Sequence, residues 1–94
     1  MRIRWKRNAL ADLEEIADHI AQENSAAARK VVSEIRRQTQ ILSNHPQIGR
    51  RGRVSDTHEL VMTSHAHLVA YEITEKSVNV LAVVHTSKLW PESF

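Results

Sequence analysis

The stretch Ala66–Trp90, AHLVAYEITEKSVNVLAVVHTSKLW, constrains the fold more than any other part of this chain. Two aliphatic and β-branched runs, Leu68–Ile73 and Val78–Val84, flank the polar connector Thr74–Ser77. That is the pattern of two antiparallel strands joined by a short loop. The second run contains one polar residue, Asn79, so it is expected to be covered on both faces and to lie inside a sheet. His85, Ser87, Lys88 and Trp90 follow it directly. The end of a rigid strand is where binding or reactive groups are well positioned. This tail is either a site or a plug for the core.

The chain before it supplies the covering layer. Arg2–Trp5 alternates charge and bulk, with Ile3 and Trp5 on one side, and suits a short first strand. Asn8 is a candidate helix N-cap. Leu13, Ile16, Ala17 and Ile20 then recur at helical spacing, so Ala9–Glu23 is predicted to be a helix with one apolar stripe. Asp12, Glu14, Glu15 and Asp18 sit in its N-terminal half, where the helix dipole favours negative charge.

Asn24 and Ser25 interrupt the pattern, and Ser25 is a candidate cap for a second helix over Ala26–Ser43, ended by Pro46. So short a connection makes the two helices antiparallel neighbours. His45–Val54, HPQIGRRGRV, reads as a loop holding both glycines of the chain and three arginines. Glu59–Thr63 reads as a further strand. The fold class is therefore α+β, in the order β-α-α-β-β-β. A helical hairpin is packed on one face of a curved antiparallel sheet whose other face is partly open.

Ninety-four residues make one domain, spanning 1–94. The chain has no cysteine, which excludes a disulfide scaffold and a cysteine-ligated zinc site. Aromatic residues make up only 4%, too few for a sheet that reads RNA by stacking. No apolar run is long enough to span a membrane, and Met1–Arg7 is charged, so a cytoplasmic location and no membrane partner are expected. A net charge of +2 fits nucleic acid or an acidic protein partner. Arg2, Arg4, Lys6 and Arg7 open the chain, while most acids fall in Asp12–Glu23, so a basic and an acidic side are expected.

Two groups of residues carry candidate chemistry. Arg50, Arg51 and Arg53 can make bidentate bonds to phosphate or carboxylate, and the loop's glycines allow close backbone approach. The plainer reading is a solvated surface loop. His67 and His85 fall near the same end of the sheet if the strands pair simply, and could act as base and acid with Lys88 beside a developing charge. Equally, His85 is a half-buried strand-end residue bonded to the backbone. Trp90 before Pro91 anchors the tail to the core or contacts a partner. No histidine spacing suggests a metal site, and no cofactor is expected.

Taken together, Trp5 with Ala11-Asp12-Leu13-Glu14-Glu15-Ile16, His45-Pro46-Gln47-Ile48-Gly49-Arg50, Glu59-Leu60-Val61, Leu68-Val69-Ala70-Tyr71, and Val83-Val84-His85-Thr86-Ser87 with Trp90-Pro91 resemble the RelE/ParE family of toxins from type II toxin–antitoxin systems. The resemblance runs nearly end to end and implies the fold read above. It also implies a cognate antitoxin, whose flexible C-terminal segment folds on the toxin as a helix on the hairpin or a strand at the sheet edge. RelE-like members cleave messenger RNA on the ribosome; ParE-like members poison DNA gyrase.

The ribonuclease branch relies on a basic residue in the third strand, an arginine at the end of the last strand and often a C-terminal tyrosine. Here the matching positions hold His67 and Ser87, and no tyrosine follows Tyr71. The strand end His85-Thr86-Ser87 before Lys88 resembles the ParE branch. The resemblance therefore implies a gyrase poison, not itself an enzyme; it does not assign the contact residues, for which Arg50, Arg51, Arg53, His85, Ser87, Lys88 and Trp90 are the candidates here. The alternative is a ribosome-dependent endoribonuclease using His67, His85 and Lys88. A non-toxic homologue that keeps only antitoxin binding is the third reading.

Overall fold

The computed structural model describes residues 1–63 and 65–87. Five strands and two helices follow in order: β1 (Arg2–Trp5), α1 (Arg7–Ala21), α2 (Ser25–Gln40), β2 (Arg50–Arg51), β3 (His58–Val61), β4 (His67–Ile73) and β5 (Ser77–His85). One turn of 3-10 helix, Ile41–Ser43, ends α2. The strands form one sheet in the order β1-β5-β4-β3-β2, so β5 is interior, as its apolar run required. The α+β class and the helical hairpin on one face are as expected.

Several local expectations are corrected. The sheet is mixed, because β1 pairs with β5 in parallel, Arg2 opposite Ser77 and Trp5 opposite Val80. Only a chain that crosses over through both helices can lay its first strand beside its last in this sense. Helix α1 begins one residue before Asn8, with Lys6 at the N-cap and no side-chain cap. Lys6 donates its N–H to Val80 O and accepts at its C=O from Leu10 N, so one residue ends the ladder and starts the helix. Asn24, not Ser25, caps α2, its side chain accepting from Ala27 N at 3.0 Å. Inside the supposed arginine loop, Arg50 and Arg51 pair with Glu59 and His58 to make β2, and β3 ends at Val61 instead of Thr63.

The core lies between the hairpin and the sheet. Ala9, Leu13 and Ile35 from the helices meet Val69, Val80 and Val83 from the central strands, with Ile3, Trp5, Ile16 and Val31 at the margins. A second cluster, Leu42, Tyr71 and Val78, sits under the 3-10 turn. Ile35 is fully buried, so truncating it to alanine should cost about 2–5 kcal/mol. A bulge between Ala70 and Tyr71 on the β4–β5 ladder shifts the pairing so that Val80 and Val83 both face the helices.

The face opposite the helices is less open than expected. Leu68 and Ala70 alternate with the core residues of β4 and yet are 1% and 0% exposed. Along this face, Ser77 Oγ bonds Asn79 Oδ1, and Asn79 Nδ2 bonds Glu72, so the polar residues of β5 are satisfied by one another. Open surface is found at the β1 side, where Arg2 and Arg4 are exposed.

Candidate functional site

The arginine segment is built, not loose. From β3, the Glu59 carboxylate accepts from Arg50 Nε and from the Arg53 backbone N–H, both at 2.9 Å. Glu59 is 2% exposed, and a buried carboxylate is tolerated when its oxygens are bonded in this way. From β4, the Tyr71 hydroxyl donates to Pro46 O at 2.7 Å and accepts from Gly49 N at 3.0 Å. Gly49 admits no side chain, since a Cβ would collide with Tyr71 and the Glu59 carbonyl. At the far end, Gly52 N bonds Thr57 O, Thr57 Oγ1 bonds Val54 O, and Asp56 takes a positive φ of 64° to turn the chain.

Two side chains from the sheet thus hold a ten-residue excursion in one shape. Burial pushes the Tyr71 hydroxyl above its usual pKa, against the smaller opposing effect of the bond from Gly49. Neither Glu59 nor Tyr71 was a site residue in the sequence reading. The available signal was a tyrosine inside a buried apolar run, whose hydroxyl must find a partner. The clamp also separates the three arginines. Arg50 is paired to Glu59, and Arg50, Arg51 and Arg53 all remain exposed.

The histidine expectation holds geometrically. His67 pairs with His85 across β4 and β5, the ring centroids lie 5.2 Å apart, and the planes are nearly perpendicular at 84°. His85 Nδ1 is taken by Ser87, whose Oγ lies at 2.7 Å and whose N–H donates at 3.1 Å. An acceptor Nδ1 leaves the proton of a neutral ring on Nε2. His85 and Ser87 therefore form one unit at the strand end, far along the sheet from β2. Lys88 and Trp90 lie outside the described residues. Among the described residues no three histidine or carboxylate side chains converge as metal ligands, and no helix is long and apolar enough to cross a membrane.

The turn that leads into His65 and His67 is tied to α2. Gln38 Nε2 bonds both Glu34 and Thr63 Oγ1, and its Oε1 accepts from Thr63 N. Arg37 and Gln38 hold the Glu34 carboxyl well down, to about 2. On the outer face of the hairpin, a groove of about 590 Å³ runs between α1 and α2. Ala17, Ala21, Ala28 and Val32 line it together with Asp18, Arg29 and Arg36.

Comparison with known proteins accounts for this arrangement. Residues 3–90 match the family described as the ParE toxin of the type II toxin–antitoxin system parDE. The chain is 36% identical over 91 residues to "Putative toxin Y4kP" of Sinorhizobium fredii, covering 97% of this chain and 94% of that one. It is 27% identical over 85 residues to Toxin RelE2 of Caulobacter vibrioides, covering 90% and 94%. The fold matches a solved chromosomal ParDE system from P. aeruginosa with a TM-score of 0.85 at 24% identity, over 93% of this chain and 97% of that one. The intact E. coli RelBE toxin–antitoxin complex matches with a TM-score of 0.63 at 15% identity, over 93% and 98%. The β-α-α-β-β-β-β chain with its clamped arginine segment belongs to the ParE toxin family of type II toxin–antitoxin systems, within the wider RelE/ParE group.

Proposed function

We propose that this toxin acts by binding DNA gyrase and is neutralised by a cognate antitoxin. The observation that carries the reading is the match of residues 3–90 to the ParE family. The strand end supports it, because His85 Nδ1 is occupied by Ser87 and not left open to take a substrate proton. No covalent chemistry by the toxin is needed. It would hold gyrase after DNA cleavage, so that the enzyme's own intermediate becomes a double-strand break.

The proposed contacts are two separate points, the exposed Arg51 with the clamped Arg50 and Arg53 at one and the His85–Ser87 strand end at the other, with Lys88 and Trp90, outside the described residues, as further candidates. Acting on gyrase sets the protein in the cytoplasm. The antitoxin lays a helix along the groove between α1 and α2, whose alanines allow close approach. Purified toxin should inhibit supercoiling and accumulate cleaved DNA; full supercoiling activity in excess toxin sinks the reading.

One observation favours a second reading, cleavage of messenger RNA on the ribosome. His67 and His85 are in contact, as a base and an acid of an RNA-cleaving site would need to be near one another. Message cuts in induced cells that vanish with His67→Ala, His85→Ala or Lys88→Ala support it. Intact messages together with an SOS response rule it out.

A further inference from the structure

A row of cations runs along β1 on the face away from the helices. Ile3 and Trp5 pack against the core, so the alternate residues Arg2 and Arg4 belong to the opposite face, and both are exposed. Lys6 keeps an extended backbone, φ −70° and ψ 157°, and continues the alternation before α1 begins. Successive members of the row stand about 7 Å apart along the strand, close to the separation of neighbouring phosphates on a nucleic-acid backbone. Arg7 follows, also exposed. Both ends of the row are pinned, since Ser43 Oγ donates to Met1 O and Lys6 N donates to Val80 O. The surroundings leave this charge uncompensated. Across the ladder Arg2 stands opposite Ser77 and Arg4 opposite Asn79, both neutral. Among the described residues the ion pairs are Arg37–Glu34 and Arg50–Glu59, so none of the four cations is in one.

We propose that Arg2, Arg4, Lys6 and Arg7 bind the phosphate backbone of duplex DNA without reading its bases. Each cation neutralises a phosphate and releases condensed counterions. A single strand is a poorer occupant, because it is held by stacking its bases on exposed rings. The one ring beside the row, Trp5, packs against the core and carries the Arg36 guanidinium 5.2 Å from its centre. An acidic protein segment is poorer too. Paired as a strand, it could follow the row only to the point where the chain turns into α1 at Arg7. A phosphate backbone needs only side-chain charge and can follow the row to its end. The inference deepens the gyrase reading, in which the toxin sits beside cleaved DNA, but it is tested by its own measurement.

Fluorescence anisotropy of a short DNA duplex titrated with the whole toxin, over a range of salt concentrations, tests it. The logarithm of the binding constant should fall against that of salt with a slope of about −3 to −4, the value for four neutralised phosphates. Duplexes of different sequence should bind alike. Arg2→Gln and Arg4→Gln should each reduce the slope by about one, and the double variant should bind about tenfold or more weakly at low salt. Arg37→Gln, whose cation is already taken by Glu34, should leave the slope unchanged. Unchanged urea midpoints show that the variants are folded. Absence of duplex binding at low salt overturns the proposal, and so does a double variant that binds as the wild type does. In either case, gyrase inhibition by the same toxin leaves the gyrase reading standing. Duplex binding by a toxin that leaves supercoiling untouched supports the row and sinks the gyrase reading. Equal competition by polyglutamate of matched charge makes the row a site for acidic protein, and tighter binding of duplex RNA makes it a site for RNA; each overturns the proposal.

Discussion

Asp12 Oδ2 accepts the Val83 backbone N–H at 2.9 Å, joining α1 to the interior strand β5. Strand β1 stops opposite Val80, so Val83 has no ladder partner on that side. The helix carboxylate takes the place of the missing strand. This gives Asp12 a role that the helix dipole alone did not assign it.

Asp12→Ala leaves the Val83 N–H buried without its acceptor, at a cost of about 1–3 kcal/mol. Urea unfolding should show that loss, and the Val83 amide should exchange faster. Asp12→Asn keeps an acceptor oxygen and should recover part of the stability.

Glu59→Ala should free both Arg50 and the Arg53 backbone. Its expected cost is about 1–3 kcal/mol, less than for a wholly buried pair because Arg50 is half in solvent. The specific sign is local. The Arg53 amide should lose protection while amides of β4 and β5 follow the global stability. Toxicity should fall more for Glu59→Ala than for Arg50→Ala, since only the former releases the Arg53 backbone as well as the Arg50 side chain.

Tyr71→Phe removes the partner of Pro46 O and Gly49 N together, with an expected loss of about 1–3 kcal/mol. The native Tyr71 also makes stability fall in alkali. Its folded pKa is raised, so the stabilisation is complete below the ordinary tyrosine value near 10 and is lost as pH rises through the folded value. Denaturation at pH 9 and 11 should show a decline that Tyr71→Phe lacks.

Glu34 gives the opposite dependence. Its folded pKa is depressed to about 2, so its contribution is present above the ordinary value of 4.5 and is lost as pH falls from there toward 2. Carbon-detected titration of Glu34 should give a midpoint near 2, rising toward 4.5 in Arg37→Ala. The same titration in Gln38→Ala should rise by less, because Arg37 is the larger cause.

Local physics made much of the fold legible in the sequence. The apolar run of β5, the stripe of Leu13, Ile16 and Ile20, and the polar break at Asn24 each follow from which side chains avoid water at which period. The strong register of β4 on β5 was legible too, because a one-residue slip would turn Val69 and Tyr71 out of the core. Hence His67 and His85 fall together if the strands pair simply, and they do pair despite the bulge at Ala70 and Tyr71.

Only the tertiary structure decided what depends on groups distant in the chain. The parallel pairing of β1 brings Arg2 beside Ser77, and no local pattern encodes the partner or sense of a short edge strand. The same holds for the arginine segment, which composition reads as a solvated loop. Its shape is set by Glu59 and Tyr71, two residues of other strands whose buried oxygens must be satisfied and can be satisfied only there. Periodicity reports burial, whereas hydrogen-bond partners are chosen in three dimensions.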